Sequence, residues 1–186
     1  MLHRYWTGAS LPDTEPWVGW VIEKMHPDLM LHDWTDDHLS DEIVGWLDGA
    51  AVQVKEEDRP RHRANMVRWW LLREYGGIWL DYDIIPLAPL PVDRRMCATP
   101  GSLPSSCVIG LPAPNDPLAD KMLTAIQGAG PQSDRPSVEV SGDKQLMRVA
   151  QHEGLHLLPM RFGLHGDVAN ATSPLLHLWR TSSKRA

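Results

Sequence analysis

Apolar positions along the first half of the chain switch between a two-residue and a three-to-four-residue rhythm. "LHRYW" reads as a short strand closed by the "TGASLP" turn. "PWVGWVIEKMHP" follows as an amphipathic helix, with Trp17, Val21 and either Trp20 or Lys24 at helical spacing. "LMLHDW" then predicts a second strand. In "SDEIVGWLDG", Ser40 stands at a cap position, acids fill the first turn and Gly49 closes the segment, which are helix start and stop signals. The order so far is strand, helix, strand, helix.

"RPRHRANMVRWWLLREYGG" is the clearest helix. Ala64, Val67, Leu71 and Tyr75 form one stripe with Trp70 beside it, Asn65, Arg68 and Leu72 share a neighbouring face, and Gly76 takes the place of a left-handed cap. "GIWLDYDII" predicts a third strand, stopped by Pro86 and Pro89. Further on, "MCATP" and "SCVIGLP" predict strands, "DPLADKMLTAIQG" a helix and "SGDKQLMRVAQHEG" a helix ending at Gly154. "LHLLPM" and "LLHLW" are late strand candidates. The proline-rich stretches at 86–91, 100–117 and 131–136 are loops within one unit, because periodic segments resume after each. Alternating strands and helices indicate an α/β fold: a largely parallel sheet flanked by helices, with ligand-binding loops at the carboxyl ends of the strands.

Composition narrows this picture without redirecting it. A chain of 186 residues fits a single compact domain, residues 1–186. A formal charge of −6 argues against a chain-wide footprint for nucleic acid, despite a cluster at Arg59, Arg61, Arg63, Arg68 and Arg73 and a basic end at Arg180, Lys184 and Arg185. Cys97 and Cys107 are too few for a disulfide framework and imply free thiols. No apolar run reaches the roughly 18 residues of a membrane span, and "MLHRYWTGASLPD" lacks a signal pattern, so the expected location is the cytoplasm. Nine tryptophans against one phenylalanine predict an indole-rich core, with one or two rings left as stacking platforms.

The chemistry concentrates in "REYGGIWLDYDIIPL". In an extended strand Trp79, Asp81 and Asp83 point one way, while Ile78, Leu80, Tyr82 and Ile84 point the other. With α-carbons ~6.6 Å apart, two ionised carboxylates repel by roughly 3 kcal/mol at an effective dielectric of 20. A divalent cation reverses that sign. Hard oxygen ligands select Mg²⁺, Mn²⁺ or Ca²⁺, and a site with only one or two protein carboxylates completes its shell with water or substrate phosphate.

The longer context resembles the glycosyltransferases with a DxD sugar-binding motif, a family containing yeast-type α-mannosyltransferases, capsular polysaccharide enzymes and the catalytic domains of clostridial glucosylating toxins. Their pattern is an aspartate, an arginine three residues on, "LL", "YGG", an aromatic and "LDxD". Here it is met by Arg68, Leu71, Leu72, Gly76, Gly77, Trp79, Asp81 and Asp83, with Asn65 in place of the helix aspartate. "LHRYWTG" and "LHDWTDD" are similar to the family's first two strands, and "LLHLWRTSS" to its late His/Trp/Ser segment.

The resemblance implies a GT-A fold, a UDP- or GDP-sugar donor, a Mn²⁺ or Mg²⁺ ion and retention of configuration. It further implies Asp83 and Asp81 as metal ligands with His177, and Asp81, Asp83 and Arg68 as the catalytic set. Donor contacts would come from Trp6, Asp36, Asp37, Asn65, Arg68, Gly77, Asp81, Trp179 and Ser182. The acceptor stays open among a glycan, a protein, a small molecule and a modified DNA base.

Three other readings fit parts of the sequence. "HEGLH" at 152–156 spells a zinc-protease motif, but the motif needs a continuous helix, which Gly154 interrupts. A haloacid-type phosphatase would want its acids after the first strand. A sugar-nucleotide or glycan binding module without turnover keeps the same fold, and Asn65 is the hint toward it.

Overall fold

The computed structural model describes residues 1–7, 16–99, 103–130, 135–151, 153–162 and 173–177. Along the chain come β1 (Leu2–Tyr5), α1 (Pro16–Met25), β2 (Leu31–Trp34), α2 (Asp41–Ala50) and α3 (Arg59–Tyr75). β3 (Gly77–Leu80), β4 (Ile84–Pro86), β5 (Met96–Thr99), β6 (Ser105–Leu111) and α4 (Pro117–Gln127) follow. α5 (Ser137–Val140), α6 (Asp143–Ala150), β7 (His156–Phe162) and β8 (Leu175–His177) complete the order.

Local chemistry explains most of these boundaries. The Ser40 hydroxyl accepts the Ile43 N–H at 3.4 Å to start α2, and the Asp116 carboxylate accepts the Leu118 N–H at 2.9 Å to start α4. α3 ends on Gly76, whose N–H still reaches the Leu72 carbonyl at 3.0 Å. Its φ of 61° and ψ of −153° are not the left-handed cap the sequence suggests, but a conformation that is essentially glycine's alone. α6 stops at Ala150, four residues before the expected Gly154.

The eight strands lie in the order β2-β1-β3-β6-β5-β7-β8-β4. Four of the seven pairings are parallel (β1 with β2 and β3, β7 with β5 and β8), and β6 runs antiparallel between β3 and β5. The sheet is therefore mixed, and its first three strands present their carboxyl ends at one edge.

The expected single strand from Gly77 to Ile85 is broken in two. Leu80 ends β3, residues 81–83 turn, and the Ile84 N–H closes the turn on the Asp81 carbonyl at 3.1 Å. β4 lies five strand positions away from β3, a distance of roughly 24 Å in a flat sheet. The four-residue step from Leu80 to Ile84 reaches at most about 14 Å. The sheet must curl. β7 is where it bends, because residues before Met160 pair with β5 and those from Met160 onward pair with β8.

Two cores result. One face packs Trp34, Trp69, Trp79, Leu71 and Ile109 under α2, α3, α4 and α6. The curled face packs Leu2, Val18, Ile22, Leu80, Ile84, Met160 and Leu175 under α1. The expected stripe on α3 is only part of the story, since His62, Asn65, Met66, Arg68 and Leu72 are buried as well while Tyr75 is exposed. Both cysteines are free and buried, one in each core, and burial pushes each thiol up to about 12. Among the described residues no helix is long and apolar enough to cross a membrane.

Candidate functional site

The carboxyl ends of β1, β2 and β3 bring three clusters together. The first is centred on Asp81. Trp79, two residues earlier on the same face, donates its indole N–H to Asp81 Oδ1 at 2.6 Å, and Arg68 Nη2 donates to the same oxygen at 2.8 Å. The guanidinium carbon of Arg68 lies 4.8 Å from the centre of the Trp79 ring. The Asp81 N–H is tied to the Cys107 carbonyl at 2.9 Å, which fixes the backbone at the strand end. Both side-chain bonds fall on Oδ1, so the half-buried carboxylate turns its other oxygen outward.

The second cluster pairs Asp83 with His177. The turn after β3 delivers Asp83, and the β4–β8 register sets His177 opposite Ile84. Asp83 Oδ2 then lies 3.5 Å from His177 Nε2. Of the three residues expected as metal ligands, Asp83 and His177 are thus adjacent in space, while Asp81 is engaged by Arg68 and Trp79. Two donors converging within reach of one ion fit a sparse cation site, although no group of three His, Cys, Asp or Glu side chains gathers among the described residues. A site this sparse suits a hard cation that keeps water or phosphate in its shell.

The third cluster lies under Trp6. Arg4, only 4% exposed, is bidentate on Asp33 at 2.6 and 2.8 Å. The Tyr82 hydroxyl donates to Asp33 Oδ1 at 3.0 Å, the Arg4 guanidinium covers the Tyr82 ring at 4.5 Å, and the exposed Trp6 ring meets Tyr82 edge-on at 6.0 Å. Burial, and then the Asp33 charge, raise the Tyr82 hydroxyl well above its ordinary range, so it stays a donor at neutral pH.

On the other face Tyr5 donates to Asp36, which also accepts Arg63 Nε at 3.0 Å, and burial followed by that Asp36 bond pushes Tyr5 up to about 12. Arg63 continues to Asp48 at 2.7 Å. Asp37 is exposed beside this group.

Of the residues expected at the site, Trp6, Asp36, Asp37, Arg68, Asp81, Asp83 and His177 lie at or beside the carboxyl edge. Asn65 is buried behind Arg68, whose Nη1 it accepts at 3.0 Å. Gly77 is elsewhere. It begins β3 against Met1, about 13 Å of strand from Asp81, so its glycine serves close packing at the opposite edge. Trp179 and Ser182 lie outside the described residues.

Arg4, Asp33 and Tyr82 escaped sequence reasoning, as did Asp143, which accepts the Ser106 N–H at 2.7 Å and both the Ser105 and Ser106 hydroxyls at the start of β6. A signal existed for Arg4: alternation sets it on one face with Leu2 and Trp6, where a charge inside a strand needs a partner. For "HEGLH", Gly154 has a φ of +65° and His156 already belongs to β7, so the continuous helix a zinc protease needs does not form; His152 itself lies outside the described residues.

The chain is similar to known proteins in part of its sequence and in its fold. Residues 21–100 match the family model described as glycosyltransferase sugar-binding region containing DXD motif. Over 88 residues the chain is 32% identical to inositol phosphoceramide mannosyltransferase 3 of Schizosaccharomyces pombe, an alignment covering 45% of this chain and 24% of that protein. The chain thus aligns with about a quarter of the length of that curated relative. The solved structure of PaToxG glycosyltransferase superposes with a TM-score of 0.65 at 13% identity, over 82% of this chain and 69% of that one, which is a likeness of fold. Residues 21–100 are therefore similar to a DXD-type glycosyltransferase sugar-binding region, and the α/β fold is like that of PaToxG glycosyltransferase.

Proposed function

We propose that this chain is a glycosyltransferase domain that moves a hexose from a nucleoside-diphosphate donor to an acceptor hydroxyl with the help of a divalent cation. The observation that carries this reading is the approach of His177 to Asp83, two residues after Asp81, at the carboxyl edge of β1 to β3, with both acids inside the matched region. Ligands collect at that edge in open α/β sheets.

In this reading Asp83 and His177 would hold the cation. Mn²⁺ or Mg²⁺ would supply charge neutralisation at the leaving diphosphate. The chain's own residues do the rest. Trp6, the most exposed ring at the edge, offers a stacking face for the base, and Asp36 and Asp37, on the Tyr5 side of the same edge, would serve the nucleoside. Asp81, held by Arg68 and Trp79, presents a fixed acceptor for a ribose or sugar hydroxyl, and such preorganisation is what lowers a barrier. A UDP- or GDP-sugar fits this arrangement, and the likeness to a mannosyltransferase makes GDP-mannose the first donor to test.

The test is a thermal-shift screen of UDP- and GDP-hexoses with and without Mn²⁺, repeated on Asp83→Ala. A donor should stabilise the wild type only with metal, and the variant should lose the effect; equal shifts in both proteins would remove Asp83 from the site. Asn65 in place of the helix aspartate favours one second reading, a sugar-nucleotide binding module without turnover. Release of nucleoside diphosphate from the bound donor separates the two.

A further inference from the structure

We infer that His62, Ser141 and Asn65 form a positioning chain that sets the Arg68 guanidinium against Asp81, an inference that rests on the donor-site reading above. These residues do not touch open space: Ser141 is 0%, His62 1%, Asn65 4% and Arg68 4% exposed, while the Asp81 side chain they lead to is 32% exposed. They act through Asp81.

The donors and acceptors nearest Arg68 can be assigned. Arginine only donates, so the Asn65 atom that meets Arg68 Nη1 at 3.0 Å must be the carbonyl oxygen. That leaves the Asn65 NH₂ toward Ser141 Oγ, 3.1 Å away. Ser141 Oγ also lies 3.3 Å from the Ser137 carbonyl, which can only accept. His62 Nδ1 lies 2.8 Å from the same oxygen, giving or accepting a hydrogen bond according to its tautomer.

The chain also explains the one departure from the resembled pattern, Asn65 where an aspartate stands. A carboxylate here has no hydrogen for Ser141 Oγ, so the contact would survive only if the serine turned its own hydrogen toward residue 65. A second carboxylate would also compete with Asp81 for Arg68. With an amide at 65, the charge of Arg68 is directed to Asp81 alone. Asn65, Ser141 and His62 are a matched set, and all three are positioning residues.

A double-mutant cycle tests this, because residues that act through one another are non-additive. Ser141→Ala, Arg68→Lys and the double variant are assayed for kcat/KM of donor hydrolysis on a panel of UDP- and GDP-hexoses with Mn²⁺, each with its unfolding midpoint. Ser141→Ala should lose about tenfold and Arg68→Lys about a hundredfold, with the double variant no worse than Arg68→Lys alone. Losses that multiply, or a Ser141→Ala protein with wild-type kcat/KM, overturn the inference while leaving the function reading intact. If Ser141→Ala does not fold, Asn65→Leu takes its place in the cycle with the same two outcomes. A wild type that neither binds nor hydrolyses any donor overturns the function reading, and this inference with it.

Discussion

A β-carbon at Gly77 would lie 2.4 Å from the Met1 carbonyl oxygen, and one at Gly76 would lie 2.6 Å from the Ala113 carbonyl carbon. Both residues also have positive φ. Gly76→Ala and Gly77→Ala should each cost about 2 to 4 kcal/mol, from backbone strain plus collision with main chain that cannot yield; urea unfolding of the purified variants measures it.

Histidine 3 makes a second residue-level prediction. The Trp34 indole can only donate, so His3 Nδ1, 3.2 Å away, accepts, and Nε2–H is left for the Gly76 carbonyl at 2.9 Å. A proton on Nδ1 would break the first bond. Burial, the largest cause, lowers His3 to about 4, and His62 is lowered to about 4 in the same way. The unfolded chain, with histidines near 6.5, then binds more protons, so stability is full above about pH 6.5 and is lost as pH falls toward 4. Each group contributes up to about 3 kcal/mol of that loss. Thermal midpoints taken between pH 7 and 4 should fall, and His62→Asn should flatten the slope; an unchanged slope would remove His62 as a source.

Among the elements, the small β4–β8 pair has consequences beyond its size. It carries His177 to Asp83, and Leu175 anchors it, fully buried in the core beneath α1. Leu175→Ala should cost about 2 to 5 kcal/mol through the cavity it leaves. If β8 loosens with it, the Mn²⁺ dependence of donor binding should weaken even at temperatures where the protein stays folded. Titration of Mn²⁺ against donor-dependent stabilisation reads this, and an unaltered metal requirement would show that β8 does not position His177 for the ion. α3 plays the complementary part on the other face. It is buried on several sides, so it can hold Arg68 and Asn65 behind Asp81 while Val67 and Leu71 fill the core.

For the molecule as a whole, the curl of the sheet creates the site, because a flat sheet would leave β4, β8 and His177 far from the end of β3. Binding at such a junction stabilises the folded state by mass action, by about 2.7 kcal/mol when ligand stands at a hundred times its Kd. For a domain of this size that corresponds to roughly 5 to 10 °C in Tm. The donor screen should therefore produce shifts of that order. A shift below about 1 °C at saturating donor and metal would mean that the edge does not bind nucleotide sugar.

Local rules carried far along this chain. Periodicity, caps and turn residues placed β1, β2, α1 to α4 and the strands around Cys97 and Cys107, because each signal lies within a few neighbouring residues. The paired acids and the Gly76-Gly77 break were legible for the same reason, as was the nearness of Trp79 to Asp81, two residues apart on one strand. What the linear order could not express was everything decided by distant pairing. The break of the third strand at Leu80 follows from β4 joining β8 across a curled sheet. His177 reaches Asp83 only through that register. Gly77 sits at the far edge because β3 runs away from it, and Asn65 is sealed because α5 and α6 bring Ser141 against α3. Side-chain type and spacing are properties of the chain, but which face is covered, and which charge meets which, depends on contacts whose geometry exists only once the sheet has closed on itself.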